Sequence, residues 1–290
     1  VHRRRHGCRH RHRTRLIGSV TETLTFDPAL AYPSYDKPFL ESWNGRFESV
    51  FVALHPFFQL PGTDPYAEGY AVSSHTSGIS ARNEFSASED AGFKNLPGKL
   101  GEVMGDARFI ASLSHPKGTD WLAESRALSW TAVAEETGLQ TRERVGTALL
   151  AMIGAIRGKF PEEVSRLVGF CERTKTFPPS EGSFQPLHFA SFLDLFKRAG
   201  SQVVMFQEEF DDRPVLDLAF SEFEPNQPYR GSLYSTDKSA LIVVDWDSYF
   251  TLVAGPRALL EPWVEDHALD GFFADKTTTH HWWVDPAHLN

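Results

Sequence analysis

The sequence predicts an α+β fold in which a helical middle packs on a largely antiparallel C-terminal sheet. From about residue 91 to 199, apolar side chains recur at the three-to-four-residue spacing of helices. The last third instead has short apolar runs bounded by turn residues. Strands that follow one another without helices between them favour an antiparallel sheet. With 290 residues, 41% of them hydrophobic, the chain can bury a sizeable core.

Four helices are predicted in the middle of the chain. They are Ser129–Glu136, Thr141–Phe160, a helix that starts at Pro161, and residues 187–199. Ser129 is a favourable N-cap, and Pro161 suits a first helical turn because its missing N–H is not needed there. Gly200 is the expected stop of the last of these helices.

The C-terminal third is predicted to hold the sheet. Its predicted strands are Gln202–Phe206, Val215–Phe220, Ala240–Val244, Tyr249–Ala254 and a final edge strand, Thr279–Val284. Phe47–Leu54 is predicted to be an earlier, first strand. Residues 245–248 separate two of these runs with turn-forming side chains, which predicts a hairpin. A short helix is expected near residues 259–269.

Charge divides the chain into a tail and a body. Residues 1–15 hold seven of the 29 Lys and Arg residues, four of the 12 His and no acid, and the rest has 22 basic and 38 acidic residues. We expect residues 1–20 to be a disordered basic tail. Because the chain opens with Val, an origin outside the native protein is favoured over a phosphate-binding arm or a transit peptide. Residues 21–290 are predicted to form one α+β domain, with a loop-rich insertion near 62–118.

Composition excludes several classes of protein. Two cysteines, Cys8 and Cys171, make neither a disulfide framework nor a four-cysteine zinc site, which favours a reducing compartment. The longest apolar stretch, 145–156, is too short for a membrane span, and the N-terminus lacks the apolar core of a secretory signal. We therefore expect a cytoplasmic protein with no membrane association and no cofactor.

His281 and Asp285 are candidate metal ligands or catalytic residues. On the predicted final strand the two would share a face, because side chains alternate with a period of two. Imidazole with a carboxylate suits a metal ion or general-base chemistry. The neighbouring tryptophans favour simple packing instead.

Asp245, Asp247 and His55 are further candidates. Paired carboxylates can hold a cation or act as acid and base, although Asp in a hairpin more often stabilises the turn. His55 lies between a strand and Pro56, where a structural histidine is the commoner case. Cys171 is expected to pack in the core.

Residues 133–149 resemble a helix-turn-helix that would present Arg142 and Arg144 to DNA. Arg144 occupies a position that is normally apolar, and the surrounding acidic residues disfavour a phosphate surface. Nucleic-acid binding is therefore the less favoured hypothesis.

Five short motifs occur in an order that resembles the bacterial domain-of-unknown-function family 2711. They are residues 54–61, Ser129-Trp130, residues 153–156, Pro179-Ser180-Glu181 and residues 247–251. The resemblance covers roughly residues 45–285 and implies one soluble intracellular domain, with the tail outside it. It implies no catalytic residue, and residues 62–118 would be an insertion relative to the family.

The favoured function is non-catalytic binding of a basic protein partner. Residues 187–290 carry seven basic and 17 acidic residues, so the sheet region would attract a cationic surface. The layout of hairpin, helix and edge strand is similar to that of small bacterial immunity proteins, which is an analogy of fold. A metal-dependent hydrolase that uses the His and Asp candidates, and a helix-turn-helix regulator, are the alternatives. An oligomeric state is not predicted.

Overall fold

A computed structural model describes residues 27–67, 116, 119–152, 160–208, 215–223, 225 and 229–283. The predicted α+β class is confirmed. The described helices are α1 Phe39–Ser42, α2 Asp120–Glu124, α3 Trp130–Thr137, α4 Arg142–Met152, α5 Pro161–Thr174, α6 Phe189–Arg198 and α7 Arg257–Asp266. The described strands are β1 Ser49–Leu54, β2 Phe57–Gln59, β3 Arg126–Leu128, β4 Thr176–Phe177, β5 Val203–Glu208, β6 Leu216–Ala219, β7 Gly231–Tyr234, β8 Leu241–Val244, β9 Phe250–Gly255 and β10 Gly271–Phe273.

Seven of these strands form the main sheet, in the order β10-β1-β9-β8-β7-β5-β6, and every neighbouring pair is antiparallel. β8 and β9 are the predicted hairpin, with Val244 opposite Thr251. Strands β3, β2 and β4 form a smaller antiparallel sheet. Two six-residue strands, β1 and β9, thus lie side by side in the main sheet, with the hairpin turn at one end.

Helices cover both faces of the main sheet. On β1, Val50 and Val52 belong to a core that also holds apolar side chains of α3, α4 and α5. Phe51 and Ala53 belong to a second core, which holds side chains of α6 and α7. This alternation follows the two-residue period of a strand. Because both faces are covered, the central strands are buried along their whole length.

The ends of the helices follow the sequence signals. Ser129 is the N-cap of α3 and accepts a hydrogen bond from the Ala132 N–H at 3.1 Å. Pro161 starts α5, and Gly200 follows α6 at a φ of 77°. α4 is described as far as Met152, and Phe160 precedes α5 with a φ of 67°, so the segment predicted as one helix to Phe160 does not end in helical geometry.

The predicted final strand Thr279–Val284 is wrong in its described part, because residues 280–283 form a turn. The edge strand is β10, whose Phe273 lies opposite Phe51 of β1. After β10, the Asp275 carboxylate accepts hydrogen bonds from the Thr277 N–H and the Thr278 hydroxyl at 2.8 and 2.9 Å. After this turn the chain returns over one face of the sheet, where the centroids of the Trp283 and Phe250 rings are 5.1 Å apart.

The predicted tail and most of the predicted insertion lie outside the described residues. None of the described helices has the length and apolar character needed to cross a membrane.

Candidate functional site

The turn between β8 and β9 carries two of the predicted site residues. Asp245 follows β8, and its Oδ1 accepts the Asp247 N–H at 2.9 Å. The Ser248 hydroxyl donates to the Asp245 carbonyl at 3.0 Å. The predicted turn chemistry is therefore present, and it holds both carboxylates at one end of the main sheet.

A third carboxyl group, that of Glu181, comes from the loop after β4. The neighbouring Gly182 donates its N–H to the Ser248 carbonyl at 2.9 Å, which docks the loop on the hairpin turn. Gly182 has a φ of 66°, in the left-handed region where glycine carries no steric penalty. We call Glu181, Asp245 and Asp247, with the buried Tyr249, the acidic site.

The electrostatics of the acidic site favour the protonated form of one carboxyl group, that of Glu181. Burial, a carboxyl–carboxyl hydrogen bond to Asp247 and the Asp247 charge raise the pKa of Glu181 to about 8, against a smaller opposing effect of Arg230. Burial also raises the pKa of Asp245, while its bond from Tyr35 opposes this. Two neighbouring carboxyl groups that share a proton avoid the repulsion of two charges.

Tyr249 is the buried member of the acidic site. Its side chain is fully buried, and within the described residues no group hydrogen-bonds its hydroxyl. Burial and the charges of Glu181 and Asp247 raise the pKa of Tyr249 well above its ordinary value. A buried hydroxyl without a partner carries an energetic penalty, and its electrostatic coupling places it close to the two carboxyl groups.

His55, another predicted candidate, positions the Glu181 loop. Its Nδ1 donates to the Ser180 carbonyl at 2.9 Å, since a carbonyl can only accept, and its Nε2 accepts from the Thr251 hydroxyl at 2.9 Å. The ring is fully buried. His55 therefore links Ser180, the residue before Glu181, to β9. This is a structural role beside the acidic site.

His188 lies next to His55, with its ring centroid 6.4 Å from that of His55. Burial lowers the pKa of His188 to about 3, with a smaller electrostatic contribution from the neighbouring His55. Within the described part of the chain, Nδ1 of His188 has no hydrogen-bond partner. The His188 ring is therefore uncharged at neutral pH and occupies space in the protein interior.

A tyrosine cleft adjoins the acidic site. We define it by Tyr32, Tyr35, Asp36 and Asp245, and its volume is about 560 Å³. The Tyr35 hydroxyl donates to Asp245 Oδ1 at 2.7 Å, and the Tyr35 ring stacks on His280 with centroids 3.9 Å apart. Segment 31–36 is thereby fixed against both the hairpin turn and the turn at residues 280–283.

The C-terminal histidines are brought near Asp245 through Tyr35. His280 Nδ1 bonds the Tyr32 hydroxyl at 2.9 Å, and burial lowers the pKa of His280 to about 3. The His281 ring lies edge-on to Tyr35, with centroids 5.9 Å apart. Because His281 lies on a turn rather than a strand, the strand geometry predicted for it does not apply.

A metal site is not assembled in the described residues, among which no three His, Cys, Asp or Glu side chains are grouped to hold an ion. Asp285, the predicted partner of His281, lies outside them. The metal-binding pair His281 and Asp285 stays a prediction.

Arg142 of the predicted helix-turn-helix packs against the protein. Its guanidinium lies 4.2 Å from the centroid of Phe272 and bonds Glu143 at 3.1 Å. α3 and α4 are joined through Gly138, which has a φ of 70° as the predicted turn requires. An arginine held on a protein ring is poorly placed to reach a DNA groove, so this packing does not favour the DNA-binding hypothesis.

Sequence reasoning missed Glu181 and Tyr35 as site residues. Glu181 had a usable signal, since a lone acidic residue between Pro179 and Gly182 lies in a constrained loop. Tyr35 had none, because its partner Asp245 is 210 positions away in the chain.

Comparisons with known proteins place the acidic site within a recognised family. The family model described as "Protein of unknown function (DUF2711)" matches residues 107–284, more than half of the chain. The match includes the acidic site and excludes Tyr35 and His55. The Uncharacterized protein YwbB of Bacillus subtilis (strain 168) is 21% identical over 174 residues, which are 58% of this chain and 77% of that protein. No solved structure gives a significant match.

Proposed function

We propose a binding function for this chain, which belongs to the DUF2711 family of proteins of unknown function. Its acidic site receives a basic segment of a protein partner and performs no catalysis. The observation that carries the proposal is the convergence of Glu181, Asp245 and Asp247, whose effect on the pKa of Glu181 is only partly offset by the charge of Arg230. Among the described residues, no Lys or Arg forms an ion pair with Asp245 or Asp247.

A bound cation would reduce the electrostatic repulsion between these carboxyl groups. Glu181 holds a proton at neutral pH because its ionised form would be half-buried beside Asp247. A positive charge placed between them favours both ionised carboxylates and lowers the pKa of Glu181. Binding of a cation is therefore expected to release a proton.

Trp246 offers an apolar anchor between the two aspartates of the turn. Its side chain is 51% exposed, whereas the other large apolar side chains of the turn and its flanking strands are buried. Tryptophan is enriched among residues that dominate binding energy at protein interfaces. The surplus of acids in residues 187–290 adds long-range attraction for a basic partner. These features support an immunity-like binding module.

Affinity capture with matched variants tests the proposal. The full chain is immobilised and exposed to the lysate of its native host, and the proteins retained are identified and quantified. We expect a basic protein retained in stoichiometric amount by the wild type and by the control Asp217→Asn, which removes one exposed acid on the edge strand β6. The double variant Glu181→Gln/Asp247→Asn should lose it.

Equal retention by the double variant, or no basic protein retained by the wild type, contradicts the proposed function. Calorimetry of the captured partner in two buffers of different ionisation enthalpy adds an independent measurement. Proton release is expected for the wild type and is expected to be smaller for Glu181→Gln. Metal analysis of the same purified protein tests the alternative of a metal-dependent hydrolase.

A further inference from the structure

The tyrosine cleft is lined by a carboxylate oxygen that has no hydrogen-bond donor among the described residues. Asp245 is only 3% exposed, and it lines the cleft. Its Oδ1 already accepts from the Tyr35 hydroxyl and from the Asp247 N–H, which fills both lone pairs. Among the described residues, no donor bonds Oδ2 of Asp245. A carboxylate oxygen that lines a cleft and receives no bond from the protein is available to a cationic ligand.

We propose that the tyrosine cleft binds a primary alkylammonium group, with Oδ2 of Asp245 as its main acceptor. The inference rests on the proposed function, because it names the chemical group that the partner inserts. Asp36, at the exposed rim, adds a second negative charge, and the Tyr32 and Tyr35 rings form walls for the alkyl chain. Two perpendicular rings with centroids 6.2 Å apart present both an edge and a face to such a ligand.

Geometry favours an ammonium over a guanidinium group. A guanidinium gains most from two parallel bonds to both oxygens of one carboxylate. Asp245 offers one oxygen, since Oδ1 is engaged by Tyr35 and Asp247. An ammonium is a compact charge with three rotatable donors, so it can combine Oδ2 with the Asp36 carboxylate.

Among the described residues that line the cleft, none is a Lys, Arg or His. His280, which backs the Tyr35 ring, is buried and bonds the Tyr32 hydroxyl through Nδ1. Lys37 adjoins Asp36 in the chain but does not line the cleft. A cleft of this volume is within the range of small-ligand sites.

Titration of the full chain with small cations tests the inference. The probes are n-butylammonium, n-propylguanidinium and tetramethylammonium ions, followed by ligand-observed NMR and calorimetry. We expect saturable binding of n-butylammonium, weaker binding of the other two, and a loss of about tenfold or more in Asp245→Asn. The Asn side chain can still accept from Tyr35, so the fold should persist, which a thermal melt confirms. Asp217→Asn should bind like the wild type.

Two further probes distinguish the source of the ammonium group. Nα-acetyl-lysine methylamide mimics a lysine within a protein, and cadaverine mimics a free diamine. Binding of the lysine derivative as tight as that of n-butylammonium supports a protein lysine, and clearly tighter binding of cadaverine supports a free diamine.

Absence of saturable n-butylammonium binding, or unchanged binding by Asp245→Asn, overturns the ammonium site. The proposed function survives that result if a basic protein is still captured through Glu181 and Asp247. Conversely, ammonium binding without a captured protein overturns the proposed function alone.

Discussion

Gly182 lies so close to Trp246 that a Cβ atom on residue 182 would be 2.1 Å from the Trp246 carbonyl oxygen. The loop that carries Glu181 and the turn that carries Asp245 and Asp247 are thus in backbone contact. The Gly182 N–H reinforces this contact through its bond to the Ser248 carbonyl at 2.9 Å. The spacing of the three carboxyl groups therefore depends on a glycine at this position.

Gly182→Ala is expected to separate the Glu181 loop from the hairpin turn. The substitution meets both the backbone clash and the penalty of a positive φ, and we expect a loss of roughly 2–4 kcal/mol in unfolding free energy. Gly62→Ala is the matched control, because Gly62 has a φ of 74° and open space around its Cβ position. It isolates the penalty of φ, about 1 kcal/mol. Urea unfolding of both variants measures the difference, and equal losses would contradict the contact.

Glu181→Gln is expected to change how stability depends on pH. Glu181 has a pKa of about 8 in the folded chain and an ordinary value of 4.5. Between these values the folded state binds more protons than the unfolded state, so this stabilisation is complete below about pH 4.5 and is lost as pH rises through 8. The slope is at most about 1.4 kcal/mol per pH unit, and solvent screening of this half-buried group reduces it.

Chemical unfolding tests the Glu181 prediction by giving the free energy of unfolding at several pH values from about 5 to 9, roughly the span of this titration. Glu181→Gln should flatten the fall in stability relative to the wild type and should be the more stable protein above pH 8. Glu124→Gln, at an exposed position of α2, should keep the wild-type profile. Parallel profiles for Glu181→Gln and the wild type would show that the carboxyl group is not perturbed.

The hairpin and the helix starts could be predicted because their signals are local. Turn residues 245–248 between two apolar runs determine both the hairpin and its buried faces. Ser129 and Pro161 act on N–H groups within their own helical turn. Two of the three carboxyl groups of the acidic site were thereby predicted from neighbouring residues alone.

The rest of the site could not be predicted, because it depends on contacts between distant segments. Tyr35 meets Asp245, and Glu181 meets Asp247, only in the folded structure, where distant segments lie side by side. The prediction of a strand at Thr279–Val284 was wrong for a related reason. The Thr, Trp and Val residues of this segment have strand propensity, but Trp283 is 1% exposed in the core, and tertiary burial of a large aromatic outweighs that propensity.

His188→Leu is expected to make the protein less sensitive to acid. The folded-state pKa of His188 is about 3 and its ordinary value is 6.5, so the unfolded state binds more protons between them. Its stabilising contribution is present above pH 6.5 and is lost as pH falls toward 3. Leucine fills a similar volume without an unbonded nitrogen, so we expect a change below about 1.5 kcal/mol at pH 7.

Acid unfolding followed by circular dichroism tests the His188 prediction. The midpoint of His188→Leu should shift to lower pH. His267→Leu, at a half-exposed position bonded to Asp194, should not share this shift. An unchanged midpoint for His188→Leu would mean that acid unfolding is controlled by other groups.

Gly146→Ala is expected to destabilise the packing of α4 against the aromatic core. A Cβ atom on residue 146 would lie 2.6 Å from Trp283 and 3.1 Å from Trp130. Both rings are buried, so neither can move away freely, and overpacking of this kind costs about 1–3 kcal/mol. Gly169→Ala in α5 is the control, because nothing lies within 4 Å of its Cβ position. Alanine there should stabilise the helix by about 0.5–1 kcal/mol. The midpoint of thermal unfolding should therefore fall in Gly146→Ala and rise in Gly169→Ala. The near-ultraviolet circular dichroism of tryptophan should change only in Gly146→Ala. A shift of both midpoints in the same direction would mean that α4 does not pack on Trp283 and Trp130 as described.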